Sequence, residues 1–184
     1  AAGGGGGFLG YSSGNYNSHS ISDASAGESG QNANGGAGGT YGNGGGGAYY
    51  GNGGAGWLTS GGQGTVYSED GRGKTRTAGW LGGEACSYSW VGYGGFGGFG
   101  GGAGGGAAYG GGGGGGGYSG GGAGTDPHCG GGGGSFIAPT GTTLYADGGV
   151  NNGHGYVLIT SNCTSGVYDC AGVCDGSAVV DECG

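Results

Sequence analysis

Positive charge is almost missing from this chain. Arg72, Lys74 and Arg76 are its only basic side chains against 11 acidic ones, for a net charge of −8. Nucleic-acid recognition needs a basic footprint, so no nucleic-acid partner is expected. Proline is equally scarce. Pro127 and Pro139 are the only two, and with no strict Gly-X-Y period this excludes a collagen helix. No apolar run approaches the ~20 residues of a membrane-spanning helix, so no membrane span is expected. No helical periodicity is readable either. Finally, no serine or cysteine has a base partner at readable spacing, so the sequence predicts no enzyme and no cofactor.

What the chain has is glycine, 67 residues in 184, roughly five times ordinary usage. Glycine loses more backbone entropy on folding than any other residue, on the order of 0.5–1 kcal/mol beyond alanine in regular structure. With a hydrophobic share of 33%, an ordinary apolar core cannot offset that cost along the whole chain. Composition alone therefore reads as disorder, and order requires something besides side-chain packing. The sequence offers three devices. Aromatic residues (13 Tyr, 4 Phe, 3 Trp) supply large contact areas. Six cysteines, Cys86, Cys129, Cys163, Cys170, Cys174 and Cys183, read as a disulfide framework in an oxidising compartment. Asn162-Cys163-Thr164 is an N-glycosylation sequon, placing a glycan on Asn162 of a secreted chain. The start at Ala1-Ala2-Gly3, with no signal-peptide pattern, reads as a mature or excised piece.

The backbone itself is the fourth device. Glycine runs adopt the threefold, left-handed geometry of polyproline II, with ~3.1 Å rise per residue. They keep their N–H groups, so neighbouring helices can bond to one another and satisfy the backbone. Residues 94–134 are almost pure glycine. At three residues per turn Phe96 and Phe99 lie on one edge, whereas an extended strand would place them on opposite faces. Strand patterning is read at Thr65-Val66-Tyr67-Ser68, Ser135-Phe136-Ile137, Thr142-Thr143-Leu144-Tyr145 and Tyr156-Val157-Leu158-Ile159-Thr160. The expected fold is mainly β and irregular. A polyglycine II helix bundle packs on a small antiparallel β-sandwich over 1–160, followed by a disulfide-rich tail over 161–184.

Several motifs invite chemistry and fall short of it. Ser68-Glu69-Asp70-Gly71-Arg72-Gly73-Lys74-Thr75 ends like a phosphate-binding loop, but Ser68 stands where the first glycine belongs and Glu69 and Asp70 would repel phosphate. His19, His128 and His154 are scattered, and no second ligand sits at zinc spacing beside His128 and Cys129. The tail acids Asp169, Asp175, Asp181 and Glu182 do not form a calcium loop and read as a solvated surface. Cys86 is expected to bridge Cys129 around the main glycine run, stabilising by a few kcal/mol in the chain-entropy model, with the remaining four cysteines paired in the tail.

The ordered series Ala1-Ala2-Gly3 to Gly7, Gly56-Trp57-Leu58, Gly82-Gly83-Glu84-Ala85-Cys86, Gly94-Gly95-Phe96-Gly97-Gly98, Ser135-Phe136-Ile137-Ala138-Pro139, Gly153-His154-Gly155-Tyr156-Val157 and Asn162-Cys163-Thr164 resembles the glycine-rich ectodomain of anaplastic lymphoma kinase and leukocyte tyrosine kinase receptors. The resemblance implies polyglycine II helices packed on a β-sandwich. The tail departs from it, resembling instead one unit of a tandem cysteine-rich extracellular repeat. The expected function is that of a non-enzymatic extracellular or cell-surface structural protein, a subunit of a secreted filament, surface hair or matrix. Self-association is expected through glycine- and aromatic-rich surfaces, with Phe96, Phe99, Tyr109, Tyr118, Arg72, Lys74 and Arg76 as interface candidates. The alternative is a ligand-binding glycine-rich ectodomain of a receptor or adhesin, whose partner is another extracellular protein.

Overall fold

The computed structural model describes residues 28–65, 70–85, 87–88, 92–93, 95–104, 110–125, 128–137, 139, 166–167, 169, 174 and 176. The chain divides into two compact units, Ala1–Gly153 and His154–Gly184. This puts the boundary slightly before the 160/161 junction read from the sequence.

Regular secondary structure is sparse among the described residues: one 3₁₀ turn, Arg76–Ala78, and a two-stranded antiparallel hairpin of β1 (Ser87–Tyr88) and β2 (Gly92–Tyr93). Ser135–Ile137 belongs to no described ladder. The expected strands at 142–145 and 156–160, and most of that at 65–68, lie outside the described residues.

The rest of the first unit folds back and forth between tight turns. Turns close where Ala33 donates to Gly36 O, Asn43 to Thr40 O, Ala48 to Gly51 O, Gly56 to Thr59 O, Gly101 to Gly98 O and His128 to Thr125 O. Those beginning at 40, 48 and 56 are evenly spaced, so successive segments run in opposite directions and the turns alternate between two ends. The segments are 28–33, 36–40, 43–48, 51–56, 59–65, 70–75, 80–85, 95–98, 101–104, 110–117, 119–125 and 128–137.

The backbone bonds between these segments rather than within them, and its partners repeat. Along 119–125, Gly120 and Ala123 donate to Asn43 and Gly46 of segment 43–48. Gly121 and Gly124 donate to Gly115 and Gly112 of segment 110–117, and Gly122 and Thr125 to Gln31 and Asn34. N–H groups three residues apart thus share a partner. The same step recurs where Gly112 and Gly115 donate to His128 and Gly131, and where Gly114 and Gly117 donate to Asn52 and Ala55.

Segment 51–56 sits at the centre of this array. It bonds to 43–48 through Gly54 O, to 59–65 through Gly53 N–H and to 70–75 through Gly53 O. Asn52 N–H reaches Ala103 O, Gly54 N–H reaches Gly121 O, and Asn52 O accepts from Gly114. Segment 51–56 thus bonds to six other segments.

The interior is therefore backbone. The buried apolar side chains include Ala48, Ala55, Ala103 and Ala123, single methyl groups where the array has room for one. Elsewhere it has none: a Cβ on Gly54 would fall on the carbonyl oxygen of Gly115, and one on Gly121 on that of Gly131. Among the described residues two polar side chains are fully buried. Asn52 donates from Nδ2 to Ala103 O (3.1 Å) and accepts from Gly64 N–H (2.8 Å). Ser119 Oγ accepts from Gly42 N–H (3.0 Å). Each repairs the backbone bonding where glycine alone leaves a group unmatched, as buried polar groups require.

Candidate functional site

Because turns alternate between ends, the residues at every second turn meet. Gly42, Trp57, Trp80, Gly100, Tyr118 and Gly134 are joined at one end by backbone bonds. Leu58 N–H donates to Gly42 O, Trp57 to Tyr118 O, Tyr118 to Gly134 O and Gly100 to Trp80 O. The side chains of Trp57, Trp80, Tyr118 and their neighbours form an apolar face at this end. Trp57 lies 6.2 Å from Trp80, which stacks on Phe99 at 5.5 Å, while Tyr118 stacks on Phe136 at 4.5 Å. A glycine is needed at position 42, where φ is 80° and Leu58 and the Tyr118 ring close over the backbone. Phe99 remains 77% exposed, Tyr41 74% and Leu81 63%; Leu58, Ile137, Phe136 and Trp57 are also exposed.

This end is also where bulky residues are held in the left-handed backbone region, Tyr41 at φ 53° and Trp80 at φ 55°. That conformation costs a non-glycine residue roughly 1–2 kcal/mol. Strain of this kind is retained where the surroundings over-determine it, and it clusters at functional surfaces.

The three basic residues do different things. Asp70 takes two bonds from Arg72, at 2.7 and 3.3 Å, and pairs with the Lys74 ammonium. Partial burial works to raise the Asp70 pKa, but the hydrogen bonds from Arg72 and Lys74 outweigh it and hold the carboxyl below its ordinary value. The hydrogen bond to Asp70 in turn raises the pKa of Arg72. The run that ends like a phosphate loop therefore has its lysine engaged by its own aspartate. Arg76 stands apart, its Cζ 4.8 Å above the Trp57 ring centroid at the aromatic end, a cation–π contact.

Of the expected interface residues, Phe99, Tyr118 and Arg76 come together at this end, and Phe96 is exposed on the segment leading to Phe99. Tyr109 lies outside the described residues. Trp57, Trp80, Leu58, Leu81 and Phe136 were not among the candidates. The signal for them is spacing: Tyr41, Tyr49 and Trp57 follow one another at the turn interval, so the first and third share an end and Tyr49 takes the other. There Tyr49 meets Tyr50 edge-on at 4.7 Å, and Asn34 contacts the His128 ring at 3.0 Å.

Cys129, expected to bridge Cys86, lies buried at the start of segment 128–137 against the backbone of Gly112. Burial pushes its pKa up from the usual 9.0. The array packs Cys129 inward among glycines rather than presenting it at a surface. Cys174 is disulfide-bonded, while Cys86, Cys163, Cys170, Cys183 and the sequon asparagine Asn162 lie outside the described residues. Among the described residues no group of three His, Cys, Asp or Glu side chains is placed to hold a metal ion, and no helix is long and apolar enough to cross a membrane.

Comparison with protein-family models, with curated proteins and with solved structures finds no match for this chain. The likeness to the receptor ectodomains rests on the residues quoted for it.

Proposed function

We propose that the first unit is a polyglycine II bundle, and that the protein is a non-enzymatic extracellular building block which acts by presenting a rigid end surface for association, in a filament, surface hair or matrix. The observation that carries this reading is the three-residue repeat of backbone partners around segment 51–56. A threefold glycine helix directs N–H groups to three sides in turn, which is what a close-packed bundle uses. Such a frame spends its side chains elsewhere. Large aromatic residues stand at the turns, outside the frame, where they contribute to contact with another molecule rather than to a core.

Compartment and covalent chemistry support the same assignment. Cys174 is disulfide-bonded, the sequence holds further cysteines beside it, and disulfides persist in oxidising, extracellular settings. Polar groups of the first unit serve the structure: Asn52 and Ser119 in the array, Asp70 with two cations. The test is electron microscopy of the natively secreted, unreduced protein. Regular fibres containing this chain are expected. Dispersed particles under native conditions would refute the filament and favour the ligand-binding ectodomain.

A further inference from the structure

We infer that the aromatic end of the bundle is a self-recognition surface, and that its occupant is the same end of a second copy of this chain. The inference rests on the associative reading above and gives it a location, a symmetry and a limit.

Area is the first argument. Taking about 200 Å² for each ring, the exposed parts of Tyr41, Trp57, Phe99 and Phe136 present on the order of 450 Å² of aromatic surface, and Leu58, Leu81 and Ile137 extend it. The largest apolar patch on an ordinary monomer is about 300–600 Å², and a stable pairwise contact takes about 800 Å² from each partner. The rings alone reach the patch range, and Leu58, Leu81 and Ile137, each about half exposed or more, carry the face toward the ~800 Å² that a standard interface takes from each partner.

Charge identifies the partner. The chain carries −8 overall, so copies approaching at random repel. At the aromatic end the described charges are Arg76, over Trp57, and Glu28, beside Gly134. Away from it Asp70 and Glu84 lie together with Arg72 and Lys74, Glu84 N–H donating to Asp70 O. Among the described residues the end face thus carries one charge of each sign. A twofold contact sets like surfaces against each other, and a face that carries one charge of each sign opposes a copy of itself with no net repulsion. It also offers Arg76 of one copy to Glu28 of the other.

Geometry supplies the limit. An isologous contact is closed: once the two aromatic ends meet, neither is left to grow from. The pairing therefore yields a dimer, and longer assembly uses another surface, such as the opposite end with Tyr49 and Tyr50. The backbone strain at Tyr41 and Trp80 has a role in this scheme, since it fixes two aromatic side chains in the outward geometry of the face.

The experiment is sedimentation equilibrium of the full, unreduced chain from about 1 μM to 1 mM, with Phe99→Glu, Leu81→Glu and Tyr49→Glu variants. Native folding of each variant is checked by its amide-exchange protection. The wild type is expected to dimerise. Phe99→Glu and Leu81→Glu each place two like charges across the contact, which costs several kcal/mol, so the dimer dissociation constant should rise about 100-fold. Tyr49→Glu, at the other end, should leave it within about twofold. A wild type that is monomeric throughout overturns the inference, as does a dimer indifferent to Phe99→Glu and Leu81→Glu. Fibres that persist unchanged in Phe99→Glu protein, with no dimer as their unit, would overturn the inference and leave the structural reading standing. Absence of any assembly in every form would remove both. Binding of monomers to a glycan array through this face would reassign its occupant and overturn self-recognition.

Discussion

At Gly114 a methyl group has nowhere to go. Its Cβ would fall on the carbonyl oxygen of Gly121, and its N–H is already committed to Asn52 O. At Gly98, by contrast, nothing lies within 4 Å of an added Cβ. The pair separates the two effects of replacing glycine. Gly114→Ala should destabilise the unit by more than about 2 kcal/mol, because backbone on both sides must move. Gly98→Ala should be neutral or stabilise by about 0.4–1 kcal/mol, through the reduced freedom of the unfolded chain. Denaturant unfolding of the two variants beside wild type checks both. Equal effects would show that glycine serves here only for flexibility.

The segment is the scale at which the sequence was most readable and also where reading stopped. The three-residue period was read at Phe96 and Phe99; Phe96 stands on segment 95–98, Phe99 in the turn that follows it, and both are exposed. The turn interval is present in the aromatics Tyr41, Tyr49 and Trp57. Which segment lies against which was not legible, because a glycine run has no side chain to state its preference. The neighbours of 51–56 come from everywhere between 43 and 125. Nor could the position of Cys129 be read, since its burial follows from where 128–137 is laid in the array. One segment also carries its own clamp. The Asp70 pKa is held low by Arg72 and Lys74, so the carboxylate form is favoured by folding. That contribution is complete above the unfolded value near 3.9 and is lost as pH falls through the lower folded value. Amide exchange over 70–75 is therefore expected to lose protection on acidification below about pH 4. Asp70→Asn should flatten that dependence, with protection at neutral pH reduced to the wild type's acid level. A pH response over 70–75 that Asp70→Asn leaves unchanged would assign it to another group.

For the molecule as a whole, an interior of peptide groups has a thermodynamic signature. Exposing apolar surface raises the heat capacity of unfolding and exposing polar surface lowers it, and the usual balance is about 12–15 cal/mol/K per residue. Among the described residues the buried side chains are alanine methyls, Cys129, Asn52, Thr75 and Ser119, so unfolding of this part exposes mainly backbone. Calorimetry should give a heat-capacity change per residue clearly below that range. The stability curve should accordingly be flat, with little weakening on cooling. A value at or above the usual range would mean that an apolar core elsewhere in the chain dominates.

The uniformity of the rods has a further consequence, for assembly of the fold itself. A glycine segment slid along its neighbours by three residues remakes the same bonds, so the backbone alone describes many alignments of nearly equal energy. Correct alignment is encoded in the few residues that are not glycine: Asn52 and Ser119 with their fixed acceptors and donors, and the alanines at 48, 55, 103 and 123 in the sites that admit a methyl. They act as index marks on an otherwise blank rule. Erasing them would leave a chain able to condense but prone to stacking faults, ordered rod by rod and wrong in phase.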